Sequence, residues 1–490
     1  MKTTKAFILF FVSILFLGVA ANAQPSAAQA AAERYSREIA AFIQTGDRAA
    51  YRKFVQANFN DEMLKLPMDR HLYFVSTLHD QTRGYELLDV QEWKANEIVR
   101  LVKGKLTGTY DGLMVRVEPN APYKIMGLGL RNANGPAGDT KRLGLKEIGS
   151  ELESFTVKLA EADVFSGAVL LAKDGRPVYK GVYGIANKDF NAPNKLDTKF
   201  NLGSMNKMFT GVAIAQLVEK GKLSYDDPLS KYVPNFPDAE SAQKIKIKHL
   251  LSHTAGLGGY FTGRYQNMSR AKLRTVDDMM ALAKQDEKLQ FEPGSKWQYS
   301  NTGMLVLGKV IEVVSGKSYF DYIAENITRP AGMTNTGCFE LDRVNTNLAV
   351  GYDKQFSDAG VVWVNNVFEH VMRGGPQGGC YSTVEDLLRF DQALRGNKLV
   401  TAETFRTLTS AKPELNSPNY GYGFQVDGKN GTAGHGGGFP GISANLEMHL
   451  SSGWTAIVLS NYSRGAQPIQ TKMSTLIKAS DTAAAAAKGN

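Results

Sequence analysis

The segment Gly203-Ser204-Met205-Asn206-Lys207 places a hydroxyl and an amine three residues apart. Apolar residues at Val212, Ala215 and Val218 continue a helical period that Gly221 closes, so the pattern predicts a helix beginning at Ser204. Residues at i and i+3 share one helix face, and the Lys207 amine can approach the Ser204 hydroxyl. A serine hydroxyl is a weak nucleophile until a base stands beside it. Lysine can be that base once burial or neighbouring charge lowers its pKa from about 10.4. The helix N-terminus favours the negative charge that develops on the serine. The chemistry open to this pair is acyl transfer through a serine ester. The spacing alone is weak, since an N-cap serine followed by a surface lysine would explain it.

A second cluster is Tyr299-Ser300-Asn301, which follows Glu292-Pro293-Gly294 and Trp297. The Pro-Gly turn predicts a loop or short strand. Residues two apart in an extended stretch point the same way, so the phenol and the amide can face one cleft. Tyrosine can relay a proton to a leaving group, and asparagine can hold a substrate amide or carbonyl. A third cluster is Gly434-His435-Gly436-Gly437-Gly438-Phe439-Pro440-Gly441, ahead of a strand. Glycines let a substrate lie close to the backbone. The N–H of Gly438 could pair with that of Ser204 as an oxyanion hole, where loss of one donor costs about 10²–10³ in rate. In isolation the second cluster also reads as a polar turn and the third as a flexible hairpin.

The elements that must position these clusters can be read from hydrophobic period and turn residues. A helix is expected near Leu145 to Ala162, then strands Ser166–Lys173 and Pro177–Gly184 joined by the Asp174-Gly175 turn. Residues 205 to 410 read as mainly helical. Strands return at Tyr420–Val426, Gly441–Leu450 and Trp454–Leu459, and Pro468 to Ala479 reads as a closing helix. One sheet is therefore built from both ends of this unit, around a helical insertion. Before it, helices at Glu33–Ile43, Arg48–Ala57 and Asp69–Gln81 precede strands at Tyr85–Val90, Glu97–Lys103, Leu113–Glu118 and Tyr123–Leu130. That is the pattern of a small α+β domain. The Ala-rich stretch Ser26 to Ala32 reads either as a flexible linker or as the start of a helix.

Composition bounds the class. The 490 residues are 43% hydrophobic and 21% charged, which is globular rather than disordered. Lys2 and Lys5, the apolar run Ala6–Ala20 and the small residues Ala21-Asn22-Ala23 read as an export signal cleaved after Ala23. Removing its two lysines takes the formal charge from +9 to +7. The basic residues are scattered, which argues against a nucleic-acid partner, and no later segment is apolar enough for a stable membrane anchor. Cys338 and Cys380 are the two cysteines; a disulfide and a pair of buried thiols are both open. Neither has the neighbours of a zinc site and there is no HExxH, so no metal and no cofactor are expected. His249 and His253 are expected to be structural.

Ser-x-x-Lys, Tyr-x-Asn and His-x-Gly, in this order with a helical stretch between, resemble the penicillin-recognising serine hydrolases. The closest resemblance is to the class C β-lactamase-like branch, with its D,D-peptidases, D-aminopeptidases and esterases. Leu250-Leu251-Ser252-His253-Thr254-Ala255-Gly256-Leu257 resembles that family's LLSHTSGL-type loop. Gly378-Gly379-Cys380-Tyr381-Ser382-Thr383, before Glu385-Asp386-Leu387, resembles its GG-x-YST-x-DL segment. The resemblance implies a β-lactamase/transpeptidase-like fold, with an antiparallel sheet flanked by helices plus an all-helical subdomain. It implies an acyl-enzyme on Ser204, acid and base work shared by Lys207 and Tyr299, substrate contacts from Asn301, His435 and Gly437, and an oxyanion hole at the N–H groups of Ser204 and Gly438. His435 stands where true β-lactamases usually carry the lysine that holds the antibiotic's carboxylate, which tilts the expected substrate towards D-residue peptides or esters. The alternatives are a β-lactamase and a non-catalytic peptidoglycan binder. The preceding α+β unit resembles an NTF2-like domain.

The expected organisation is a signal peptide over 1–23, the NTF2-like domain over 24–130, a linker over 131–145, the hydrolase over 146–480 and a disordered tail over 481–490. The expected partner is a small-molecule or peptide substrate in the periplasm or the medium, with dimerisation through the N-terminal domain left open.

Overall fold

The computed structural model describes residues 25–133, 135–136, 142–286 and 288–487. The expected signal peptide, part of the linker and residues 488–490 lie outside them.

The Ala-rich start is helical. Ser26 Oγ accepts from the Gln29 N–H and Gln29 Oε1 accepts from the Ser26 N–H, a capping box that satisfies two end donors of helix α1 (Ala27–Thr45). Ala28, Ala32, Tyr35, Ile39 and Ile43 recur at helical spacing and form its buried face. Helices α2 (Arg48–Asn58), α3 (Asp61–Leu64) and α4 (Met68–Thr82) follow, then an antiparallel meander of β1 (Tyr85–Trp93), β2 (Glu97–Gly104), β3 (Tyr110–Val117) and β4 (Ile125–Asn132). The alternation of Leu113, Val115 and Val117 points all three into the core that α1 covers.

Helix α5 (Leu145–Glu161) opens the second unit. Strands β5 (Gly167–Lys173) and β6 (Arg176–Tyr183) come from its start. The buried helix α6 (Asn206–Glu219) and helix α7 (Asn301–Ser315) belong to the insertion. The insertion is not helical throughout: β7 (Tyr352–Ser357) and β8 (Gly360–Asn365) form an antiparallel hairpin. Its sequence signal was present in Asp358-Ala359-Gly360 and the β-branched run after it. The chain then returns with β9 (Gln425–Asp427), β10 (Thr432–Phe439), β11 (Ile442–His449) and β12 (Trp454–Ser460). The six-stranded sheet has the order β9-β10-β11-β12-β5-β6, so the two ends of the unit meet where β12 pairs with β5.

The closing helix α8 runs Ala466–Ala487. It extends through most of the tail expected to be disordered, because alanine has the highest helix propensity of any residue. One sheet face packs on α5 and α8 through Val169, Leu171, Trp454, Ile469 and Met473. The other buries Leu170, Leu446, Ile457 and Leu459 with Met208, Phe209 and Val212 of α6.

The β7–β8 hairpin also joins the two units. Lys354 Nζ reaches both Asp80 carboxylate oxygens at 2.9 Å and the Asp163 carbonyl at 2.9 Å. Asp358 accepts from Arg48 and Arg52 of α2, and Tyr73 of α4 packs edge-on to Phe356.

Candidate active site

Gly203–Met205 form a 3-10 turn that runs directly into α6. Gly203 has φ +50°, a left-handed conformation that residues with a Cβ rarely adopt. Ser204 thus sits at the head of a helix whose residues Asn206 to Leu217 are all buried.

Lys207 is fully buried. Its Nζ lies 3.0 Å from Ser204 Oγ, 2.9 Å from Asn301 Oδ1 and 2.5 Å from the Gln377 carbonyl oxygen. No carboxylate pairs with it among the described residues. Desolvation therefore holds its pKa well below the ordinary lysine value. A neutral amine has two N–H groups and one lone pair. The Asn301 and Gln377 oxygens can only accept, so they take the two N–H groups and leave the lone pair facing the Ser204 O–H. That is the geometry of a general base.

Tyr299 lies against this amine, its ring centroid 4.9 Å from Lys207 Nζ. Burial pushes its pKa up to about 12, partly offset by a side-chain hydrogen bond with Ser204. It keeps its proton at neutral pH and can donate it to a leaving group. Tyr299 and Asn301 face one site from a loop, one of the two expected forms, that runs into a helix: Ser300 Oγ accepts from the Gly303 N–H and caps α7, whose first residue is Asn301. His253 is buried behind Tyr299. Its ring lies 4.5 Å from both Tyr299 and Tyr420, and its Nδ1 accepts from the Ser300 N–H at 3.2 Å.

The edge of β10 forms the opposite wall. The Gly436 N–H donates to Gln425 Oε1 at 3.0 Å, away from the paired strand β11. Backbone groups two apart in a strand share a side, so the Gly438 N–H points to the same edge, towards Ser204. A Cβ on Gly203 would come within 3.0 Å of the Gly438 nitrogen, and one on Gly437 would lie 1.9 Å from the Leu202 carbonyl. Glycine at these positions lets two backbones touch, bringing the N–H groups of Ser204 and Gly438 to one place. Gly437 packs the strand rather than lining the cavity beside Ser204.

His435 departs from its expected role. It is 2% exposed and does not line that cavity. Its Nδ1 can only donate to the Gly436 carbonyl, at 2.6 Å, so Nε2 accepts from the Tyr420 hydroxyl at 2.9 Å. Burial and the nearby Lys207 push its pKa down to about 3. His435 is a neutral strut behind Tyr299, its ring 6.4 Å away, because both ring nitrogens are spent inside the protein.

Sequence reasoning missed Gln377. Its segment is bound backbone to backbone to the serine turn: Leu202 N–H donates to the Cys380 carbonyl at 2.8 Å and Gly379 N–H to the Gly203 carbonyl at 3.1 Å. Thr210 Oγ1 donates to the Pro376 carbonyl at 2.7 Å. Cys338 and Cys380 form a disulfide that ties this segment down. The GG-x-YST segment was the available signal, but which carbonyl meets the lysine is a matter of tertiary contact.

The resulting cavity of about 200 Å³ reaches Ser204, Tyr299, Asn301, Gln377 and Gly438. Tyr260, Phe261, Tyr265, Val371 and Phe439 give it an aromatic and apolar wall. Among the described residues no lysine or arginine lines it. His370, at its edge, is held neutral by burial, its pKa pushed down to about 4. No cluster of His, Cys, Asp and Glu able to hold a metal occurs among the described residues.

Residues 153–473, which contain every one of these groups, match the family model described as Beta-lactamase. Penicillin-binding protein 4* of Bacillus subtilis strain 168 is 32% identical over 326 residues, spanning 63% of this chain and 71% of that protein. The crystal structure of a penicillin binding protein from Bacillus halodurans superposes with a TM-score of 0.59 at 30% identity, over 69% of this chain and 100% of that one. A D-stereospecific amidohydrolase from Streptomyces sp. gives 0.54 at 25% identity, over 66% of this chain and 97% of that one.

Proposed function

The chain belongs to the beta-lactamase family, and on that footing we propose that it is an exported serine hydrolase that cleaves an amide, of the D-amino-acid type, or a carboxylic ester. The observation that carries the reading is the buried Lys207 amine 3.0 Å from Ser204 Oγ, its other two partners being uncharged acceptors and its pKa held well below the ordinary lysine value by burial. Ser204 Oγ attacks the carbonyl carbon while Lys207 takes its proton, and the oxyanion is held by the N–H groups of Ser204 and Gly438. Collapse of the tetrahedral species breaks the bond to the leaving group, which takes a proton from Tyr299. Lys207 returns a proton to the tyrosinate. Water then repeats the sequence on the acyl-enzyme and frees Ser204.

The cavity wall argues about substrate. A substrate carboxylate beside the reacting bond would need a cation, and the wall supplies none, with His370 and His435 both neutral. This favours amides and esters without such a carboxylate over β-lactams. The similarity to the D-stereospecific amidohydrolase supports placing amide above ester.

Export is supported by the disulfide, which belongs to oxidising compartments, and no described helix is long and apolar enough to cross a membrane. The helices and four-stranded meander of the first unit support its NTF2-like reading.

The test is a panel of D-aminoacyl p-nitroanilides, p-nitrophenyl esters and nitrocefin. We expect kcat/KM for the anilides and esters to exceed that for nitrocefin by at least tenfold. Nitrocefin as the best substrate would overturn the carboxylate argument, and no turnover of any of the three would sink the hydrolase reading.

A further inference from the structure

A second cavity, of about 780 Å³, lies between the two units. One wall is α4 of the N-terminal domain, with Arg70 and Tyr73; the other is the β10–β11 tip and the start of α8. It shares Gly438, Phe439 and Ile442 with the cavity at Ser204. The two spaces therefore meet at these three residues, of which Gly438 alone lacks a side chain. A Cβ on Gly438 would meet nothing within 4 Å. A chain bound at Ser204 can cross into the cleft over Gly438, with the side chains of Phe439 and Ile442 beside it.

A buried polar group beside the cleft is also unmet. Asn445 stands opposite Gly436 on β11 and is 7% exposed. Its Nδ2 has no hydrogen-bond partner, although most buried donors in folded proteins are satisfied. Gln467 and Gln470 of α8 bring two further side-chain amides to the same lining. The far wall is fixed in place, because Lys354 ties α4 to the hydrolase through Asp80.

We propose that this interdomain cleft binds the distal part of an extended peptide substrate whose reacting carbonyl lies at Ser204. The proposal rests on the acyl-transfer reading above. Amide side chains match peptide N–H and C=O groups in both directions. The N-terminal domain thereby becomes one wall of the substrate site.

The test uses the full chain carrying Ser204→Ala, so that nothing is turned over, and fluorescence anisotropy with fluorescein-labelled alanine dipeptide and hexapeptide amides of each configuration. The hexapeptide of one configuration should bind at least tenfold tighter than its dipeptide. Asn445→Leu, which removes the unmet donor, and Gln470→Trp, which fills the cleft from α8, should each reduce that gain to less than threefold. Equal affinity for both lengths, or a gain that both variants keep, overturns the proposal. So does labelled chitohexaose binding tighter than either peptide with the same sensitivity to the two variants, which would make the cleft a glycan site. Labelling of the unmutated protein by a fluorophosphonate reports on Ser204 separately: failure there sinks the hydrolase reading, whereas labelling without a length effect sinks the cleft alone.

Discussion

Lys207 Nζ stands 3.0 Å from Ser204 Oγ, and the other two groups it meets, Asn301 Oδ1 and the Gln377 carbonyl, are uncharged acceptors. A lysine kept as a permanent cation would be expected to have a carboxylate partner at this depth. The absence of one among the described residues marks the amine as a base.

Lys207→Arg puts a permanent cation where the base stood, with no lone pair to accept a proton. It should lower kcat by about 10²–10⁴, the usual worth of a general base, as should Lys207→Met. Ser204→Ala should abolish covalent labelling by a fluorescent penicillin or a fluorophosphonate. Steady-state kinetics on a p-nitrophenyl ester and gel fluorescence measure the two effects. An arginine variant with more than a tenth of wild-type kcat would contradict the base assignment.

The same burial fixes the pH dependence. Activity needs Lys207 neutral and Tyr299 protonated. The acid limb of kcat/KM should therefore lie well below the ordinary lysine value, and the alkaline limb near the Tyr299 value of about 12. In stability the sign is reversed. Below about 10.4 the unfolded chain binds a proton at Lys207 that the native state does not, so the buried lysine costs stability at neutral pH, less so as pH rises. Lys207→Met should raise Tm, and the gain should be larger at pH 6 than at pH 9 in parallel melts.

His435 makes an acid-side counterpart. Its folded pKa of about 3 lies below the unfolded value of about 6.5. The neutral ring contributes stability above pH 6.5 that is lost as pH falls towards 3. His435→Ala leaves the buried Tyr420 hydroxyl without its acceptor, at a cost of about 1–3 kcal/mol, and should flatten this acid loss. Urea titrations at pH 7 and pH 4.5 measure both, and equal stability of the two proteins at pH 7 would remove His435 from its supporting role.

The Cys338–Cys380 disulfide joins residues 42 apart. Chain-entropy reasoning for a loop of that length gives about 4 kcal/mol of stabilisation. Because the linked segment carries the Gln377 carbonyl, Cys338→Ser should lower both Tm and kcat. Gly437→Ala attacks the opposite wall, where the new Cβ would lie 1.9 Å from the Leu202 carbonyl. Moving β10 away from Ser204 weakens the oxyanion site, so kcat should fall by about 10²–10³ with a smaller change in KM. Circular dichroism melts alongside kinetics separate the two variants' effects on fold and on rate.

Much of this protein is legible in residue order. Helical spacing after Ser204, the Asp174-Gly175 turn and the returning strands specify a sheet made from both chain ends, because hydrophobic period and turn chemistry are local. Ser204, Lys207, Tyr299 and Asn301 could be placed together only through the resemblance of their ordered segments to a known family, because each segment by itself also reads as an ordinary cap or turn. What the order of residues left open is decided by packing between distant segments. The Gln377 carbonyl that completes the Lys207 contacts belongs to a loop 170 residues away. The pairing of Cys338 with Cys380, the turning of His435 to Tyr420, and the β7–β8 clasp that sets the N-terminal domain beside the glycine strand are contacts of the same kind. Charge state follows from them too: an amine, a phenol and an imidazole with ordinary pKa values in the chain become a base, an acid and a neutral strut only once burial removes their water.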